Sequence, residues 1–251
     1  MIYVLLCAYN EERALSVMLP QIRAAYGPAA HAVVVNDGSR DGTELVLRGF
    51  AGPGLTVLTH TVNQGLGMAI RTGLLHLAGR VAESDIIVTM DADDTHPVEL
   101  IGRLAARCAD ADVVIASRYR PGGGQRGVVL LRNVLSRAAR VVLSLRFHVP
   151  GVRDYTSGFR AYRGAILRRL VERYGDTMVT ERDFVVQMEL LLKLARTGAR
   201  FAEEPLLLRY DRKEGASKMK VWRTVKRYLW FVFLRREHVL RDDHETNSDR
   251  P

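Results

Sequence analysis

The chain predicts an α/β protein, a parallel sheet covered by helices on both faces. Three observations carry this. Apolar, β-branched runs alternate with helix-like stretches, as in sheets whose strands are buried on both sides. The polar motifs of the first half all fall at the ends of such runs, where open α/β sheets bind ligands. One of those motifs, Asp91-Ala92-Asp93, sets two carboxylates two residues apart at a strand end, where the pleat points both the same way.

The first strand is Ile2-Tyr3-Val4-Leu5-Leu6-Cys7, followed by a helix over residues 11 to about 26. His31-Ala32-Val33-Val34-Val35-Asn36 is the second strand, with a turn and a helix over about 41–50 behind it. Ala51-Gly52-Pro53-Gly54 reads as a loop and Leu55-Thr56-Val57-Leu58-Thr59 as the third strand. Asn63-Gln64-Gly65-Leu66-Gly67 is a turn that opens a helix to about Gly79. Asp85-Ile86-Ile87-Val88-Thr89-Met90 is the fourth strand, Pro97 begins another helix, and Asp112-Val113-Val114-Ile115-Ala116-Ser117 is the fifth.

The second half is less regular. Pro121-Gly122-Gly123-Gly124 reads as a flexible loop, and 128–147 as a long amphipathic helix with Leu131, Leu135, Ala138, Val142 and Leu145 along one side. Residues 154–160 form a turn into a short strand, 182–197 a helix, and 201–210 a strand. Residues 221–238 are a basic amphipathic helix carrying Trp222, Trp230, Phe231 and Phe233, and the polar tail 241–251 is expected to be disordered. The organisation expected is one catalytic domain over 1–220, split near 117, then the helix and the tail.

The 251 residues suffice for a full core, and 47% hydrophobic with 26% charged residues is ordinary globular composition. Cys7 and Cys108 supply neither a disulfide framework nor metal-ligand spacing. The sequence opens directly on a strand, so no signal peptide is expected, and no apolar run approaches the ~18 residues of a spanning helix. A net charge of +9 and a pI near 9.9 imply an anionic partner. No helix-turn-helix, zinc-finger or aromatic RNA-binding motif accompanies that charge, which argues against nucleic acid. The remaining anions are a nucleotide, a phosphorylated substrate or a phospholipid surface.

Buried like charges repel and are costly to desolvate. A hard divalent cation relieves that cost for Asp91 and Asp93 and keeps coordination sites open for phosphate oxygens. The alternative is a pair of solvated turn aspartates.

The ordered motifs resemble the family-2, GT-A-fold glycosyltransferases, particularly the polyprenyl-phosphate (dolichol-phosphate mannose synthase-like) branch. The pieces are Ala8-Tyr9-Asn10-Glu11, the run from Asn36-Asp37-Gly38-Ser39 to Thr43, Asn63-Gln64-Gly65-Leu66-Gly67, Asp91-Ala92-Asp93, His96-Pro97, Ser117-Arg118-Tyr119, Ser157-Gly158-Phe159-Arg160, and Gly215-Ala216-Ser217-Lys218. The resemblance runs from Val4 to about Lys220 and implies a GT-A (Rossmann-like) fold and transfer of a hexose from a nucleotide-diphosphate sugar to a polyprenyl phosphate, with inversion.

It also implies roles. The segment from Ala8 to Glu11 holds the nucleotide, Tyr9 flanking the base and Asp37 accepting N–H bonds from its edge. The alternative for Asn10, Asp37 and Ser39 is capping and turn formation. The family commonly has two aspartates where this chain has Asn36-Asp37, which leaves the base open between GDP-mannose and a UDP-sugar. Gly65 turns the chain before a helix N-terminus that favours anions. Asp91 and Asp93 are the pair that meets the metal, Mg2+ or Mn2+, and the diphosphate, with Asp93 the direct ligand and Asp91 a ligand or instead a contact to the ribose or sugar. Ala92 faces the donor, and Thr95 stands where the branch often has a glutamine as a further ligand. His96 caps the helix that Pro97 begins or joins the ligands. Arg118, Arg132 and Ser136 match positions that hold the lipid phosphate, and arginine's fixed fork suits that task. Arg209, Arg212 and Lys218 belong to a segment that closes over the diphosphate or is only a charged connection.

A phosphate acceptor needs no general base, whereas a sugar hydroxyl does. Glu181, Asp183 and Glu189 are the candidates for one, with Glu189 read as facing solvent or capping an arginine. The more distant rival is a nucleotide- or nucleic-acid-binding module without chemistry. Arg223, Lys226, Arg227, Arg235 and Arg236 among Trp222, Tyr228, Trp230 and Phe231 suit an anionic membrane surface. The alternative packs that aromatic face on the catalytic domain. The expected location is peripheral, at the cytoplasmic inner face of the membrane.

Overall fold

The structure, a computed structural model, describes residues 1–128, 130–212, 226–228, 230, 231 and 233, the side chains of 130–135 and 137–139 excepted. The elements run β1 (Ile2–Ala8), α1 (Glu12–Tyr26), β2 (Ala30–Asp37), α2 (Thr43–Gly49), β3 (Leu55–His60), α3 (Leu66–Ala78), β4 (Ile86–Asp91), α4 (Leu100–Arg107) and β5 (Val113–Ser117). They continue with β6 (Gly124–Arg126), α5 (Leu130–Phe147), β7 (Arg160–Arg163), α6 (Gly164–Tyr174), α7 (Val186–Arg196), β8 (Phe201–Pro205) and β9 (Leu207–Arg209).

Seven strands form the main sheet in the order β3-β2-β1-β4-β7-β5-β8, and β6 pairs with β9 in a small second sheet. All neighbours in the main sheet are parallel except β7, which runs antiparallel to both β4 and β5. Alternation along β1 assigns its side chains to the two layers: Val4, Leu6 and Ala8 join the core under α1 and α4, and Leu5 joins the core under α3, α6 and α7. This is the period of two expected of a strand covered on both faces. The predicted α/β class and the five first-half strands therefore stand.

Several expectations change. The helix expected at Pro97 begins at Leu100, after turn bonds from Leu100 N–H to the Pro97 carbonyl and from Ile101 N–H to that of Val98. The helix expected from Arg182 begins at Val186. The strand expected over 201–210 breaks after Pro205, because Leu206 N–H turns to the Ser117 carbonyl and β9 leaves to pair with β6. β6 occupies part of what read as a flexible loop, and α6 was not anticipated. On α5, Val142 and Leu145 are exposed rather than packed in a buried stripe, while Leu143 faces the core. Residues 226–228 and 230 are helical; the tail 241–251 lies outside the described residues.

Candidate active site

The order β2-β1-β4 makes a topological switch beside β1, and the C-terminal ends of these strands form its rim. Ala8 and Ala92 are both buried, so either can offer a ligand only its backbone. The loops after β1 and β2 are stitched together. Asn10 N–H donates to Ser39 Oγ at 2.9 Å, Arg40 N–H to Asn10 Oδ1 at 2.8 Å, and Glu11 N–H to Thr43 Oγ1 at 2.9 Å. Asn10 takes a left-handed conformation, φ 54°, which asparagine tolerates better than most residues. It is a cross-loop tie and not a helix cap. Tyr9 is half-buried at the same rim.

Asp37 departs most from its expected role. Its Oδ1 accepts the Gln64 N–H and its Oδ2 the Gly65 N–H, both at 2.9 Å, and Asp37 is 3% exposed. His60 Nδ1 lies 2.6 Å from Asp37 Oδ1 and His60 Nε2 lies 2.9 Å from Thr72 Oγ1. A carboxylate only accepts, so Nδ1 carries the proton toward it. Asp37 thus builds the turn rather than presenting a carboxylate to a base edge. Gly65 gives its N–H to that carboxylate rather than to a phosphate. Gly67 gives its own N–H to the Arg182 carbonyl, and a Cβ there would stand 1.7 Å from the Glu181 carbonyl oxygen. The turn is a docking point between the two halves of the domain.

Asp91 ends β4 with its side chain 38% exposed. Its N–H donates to His96 Nδ1 at 3.1 Å, and the His96 ring stacks on Phe159 at 4.8 Å. His96 therefore braces the strand end and caps no helix. Thr95 is 2% exposed and donates its hydroxyl to Asp93 Oδ1 at 2.6 Å. It orients Asp93 from beneath and is not itself a presented ligand. Asp94 bends the loop at φ 57°; burial pushes its carboxyl pKa up, against the pull of the Arg212 charge. Arg209 crosses this loop by a bond from its N–H to the Thr95 carbonyl, but its guanidinium forks onto Asp211 at 2.8–3.2 Å. Lys218 lies outside the described residues.

On the acceptor side, Arg118 is committed. Its Nε and Nη2 reach Asp154 at 2.8 and 2.7 Å, and Nη2 also reaches Thr156 Oγ1 at 2.6 Å. Asp154 is fully buried. Burial alone would raise its pKa, but the Arg118 charge and hydrogen bonds outweigh this and hold it below the usual carboxylate range. Asp154 also accepts the Ser157 N–H, fixing the run that carries Gly158 past Asp91. A Cβ on Gly158 would lie 3.5 Å from Asp91 Oδ1. Ser136 Oγ pairs with the Tyr119 hydroxyl at 2.5 Å, so α5 is tied to the end of β5. The side chain of Arg132 lies outside the described residues.

The three candidate bases are all engaged. Arg227 reaches Glu181 at 2.9 Å and Asp183 at 3.4 Å. Glu189 is buried, pairs with Lys193 at 2.7 Å and accepts the Thr180 and Glu181 N–H groups. It faces neither solvent nor an arginine. Asp154 and His60 were missed as site residues. Asp154 could have been suspected from its place two residues before Thr156, an Asx-turn spacing; His60 shares the rim with Asp37 but carries no motif.

Among the described residues no cluster of three or more His, Cys, Asp or Glu gathers to hold a metal. Two carboxylates at an exposed strand end fit a hard cation that takes its remaining oxygens from a diphosphate. The description Glycosyl transferase family 2 matches residues 3–172. A polyprenol monophosphomannose synthase of Mycolicibacterium smegmatis is 35% identical over 86% of this chain and 80% of its own length. An undecaprenyl-phosphate mannosyltransferase of Micrococcus luteus is 33% identical over 84% of each. A glucosyl-3-phosphoglycerate synthase of Mycobacterium tuberculosis, solved with Mn2+ and UDP-glucose, superimposes with a TM-score of 0.66 at 20% identity over 92% of this chain and 78% of that one, and shares the GT-A fold. The chain belongs to glycosyl transferase family 2.

Proposed function

We propose that this enzyme transfers a mannosyl residue from GDP-mannose to a polyprenyl phosphate, inverting the anomeric carbon. The observation that carries the choice of acceptor is the engagement of Glu181, Asp183 and Glu189 by Arg227 and Lys193. A hydroxyl acceptor requires a base. A phosphate monoester, with a second pKa near ~6, is already largely dianionic. The two curated relatives, named for polyprenol and undecaprenyl phosphate, support the same acceptor class.

Asp91 and Asp93 would hold Mg2+ or Mn2+, with Thr95 fixing the orientation of Asp93. When bound, the metal offsets charge on the departing nucleoside diphosphate. The related synthase was solved with UDP and Mn2+ or Mg2+. Tyr9 and the stitched loops of Asn10 and Glu11 flank the nucleotide, and the Asn63–Gly67 turn walls it. Gly158 makes room for Gln187, whose Nε2 a Cβ there would meet at 2.8 Å, while the acceptor run passes Asp91. Arg118, Arg132 and Ser136 hold the acceptor phosphate opposite the leaving group, with Arg118 aimed by Asp154.

Among the described residues no helix is long and apolar enough to cross a membrane. Tyr228 donates its hydroxyl to the Phe184 carbonyl and Phe231 is buried, so part of the aromatic face packs on the domain. Trp230 and Phe233 remain 40% and 67% exposed, as does Leu145 of α5 at 81%. These exposed apolar side chains support peripheral docking on a membrane, which we propose is the anionic inner face. Transfer is tested with GDP-mannose and UDP-glucose, each offered a polyprenyl phosphate and a free sugar, with Mn2+ or chelator. Transfer only to the free sugar, or full turnover in chelator, contradicts the proposal. Flotation with anionic liposomes tests docking, and absence of binding removes it.

A further inference from the structure

We infer that Arg140 is a further ligand of the acceptor phosphate, supplying the positive charge that Arg118 cannot give in full. This rests on the polyprenyl-phosphate reading above. Arg118 belongs to the expected phosphate site, yet its Nε and Nη2 are spent on Asp154 and Thr156, and the Asp154 charge offsets its own. A dianion placed beside that pair meets little net positive charge. Arg140 lies one helical turn beyond Ser136 and two beyond Arg132, so the three residues continue one side of α5. Its guanidinium sits 5.1 Å from the centroid of the Tyr119 ring, and the Arg118 guanidinium sits 5.4 Å from the same ring. The Tyr119 hydroxyl bonds to Ser136 Oγ. One tyrosine thus gathers both arginines and the serine into a single cluster. Among the described residues no carboxylate forms an ion pair with Arg140, and its side chain is half-buried.

The chemistry of the acceptor agrees with this placement. A polyprenyl phosphate is a dianionic head on an apolar tail. Arg140 stands between the inward-facing Leu143 and the exposed Val141 and Leu145. A head held at Arg140 and Ser136 leaves its tail at that apolar face, where desolvating it is favourable. A half-buried guanidinium already held over a ring loses less freedom on binding a phosphate than one free in solvent.

The test compares wild type with Arg140→Gln, Arg140→Lys and, as a control further along α5, Arg146→Gln. Acceptor and donor KM are measured with a short-chain polyprenyl phosphate in detergent micelles. Arg140→Gln should raise the acceptor KM about tenfold, the factor matching one charge-assisted hydrogen bond, with donor KM and slow donor hydrolysis unchanged. Arg140→Lys should recover part of the loss, and Arg146→Gln should match wild type. If Arg140 only steadied Tyr119, removing the ring with Tyr119→Leu would raise the acceptor KM as much as Arg140→Gln does and the double variant would lose no more; that result overturns the inference. A wild-type acceptor KM in Arg140→Gln also overturns it while leaving the proposed reaction standing. Failure of wild type itself to use any polyprenyl phosphate removes both. Binding to vesicles of anionic phospholipid without polyprenyl phosphate should be the same for Arg140→Gln and wild type; a selective loss there assigns Arg140 to lipid headgroups and overturns the inference.

Discussion

The Arg118–Asp154 pair can be broken almost without changing its shape. Asp154→Asn keeps the volume and one carbonyl oxygen but removes the charge that faces Arg118 at 2.7 and 2.8 Å. Burial works against the charge on Arg118, yet Asp154 more than compensates and raises its pKa. The variant therefore strands a protonated guanidinium beside a buried amide. Removing one partner of a buried pair costs about 3–5 kcal/mol, and the 15% residual exposure of the Arg118 side chain places this case near the lower figure. Urea denaturation at pH 7 should show that loss with an unchanged m-value. The pH dependence has a definite sign. The folded pKa of Asp154 lies below its ordinary value of 3.8. Its stabilisation is present above that value and disappears as pH falls through the folded pKa. The gap between wild type and variant should be constant from pH 7 to about 5 and close only below about 4. A gap under about 1 kcal/mol at pH 7, or one that closes between pH 7 and 5, would refute the pairing as the main support of this loop.

Asp93→Ala should abolish transfer while thermal unfolding stays close to wild type, since Asp93 is a rim residue; a variant that keeps a tenth of the activity would remove the assigned metal role. Gly67→Ala forces a Cβ to 1.7 Å from the Glu181 carbonyl oxygen and should cost about 1–3 kcal/mol and raise donor KM; unaltered denaturation and kinetics would show that the turn does not need this contact. His60→Ala should weaken nucleoside diphosphate binding through Asp37, and His60→Asn, which restores a donor near Nδ1, should recover part of it by calorimetry. Equal affinities in all three proteins would disconnect His60 from the donor site.

The first half was legible because its signals are local. Strands buried on both faces are written as unbroken apolar runs, and their ends are marked by Asn36-Asp37-Gly38, Asn63-Gln64-Gly65 and Asp91-Ala92-Asp93. The second half owes its shape to distant partners. Nothing within Arg160-Ala161-Tyr162-Arg163 says that it slots between β4 and β5, where Arg160 is wholly buried and donates to the Gln187 and Tyr155 carbonyls. Asp37, Gly65, Thr95 and Arg118 lie at or just beyond strand ends, and the donors or acceptors of each are taken up by neighbours in the chain. A sequence names the functional group, whereas its remaining hydrogen-bonding capacity depends on contacts such as Arg118–Asp154, 36 residues apart.

The reversed direction of β7 explains how the run from Asp154 to Phe159 reaches the edge of the sheet where Asp91 lies. Every other strand of the main sheet ends at the rim where Asp91 lies, so a segment leading into a parallel strand would start at the far edge. β7 pairs Arg160 with Thr89 and Arg163 with Ile86, and so begins at the rim. The residues that precede it, Asp154 to Phe159, arrive beside the donor strand as a consequence of strand polarity alone. Thr89 Oγ1 donates to the Gly158 carbonyl at 2.8 Å and locks that arrival. Asp154, carried in by the same run, then draws Arg118 from the end of β5. Arg118 and the Asp91-Ala92-Asp93 segment at the end of β4 are thereby brought to one edge of the sheet. Reacting groups placed this way gain from orientation fixed in advance, and the antiparallel strand is the feature of the fold that supplies it.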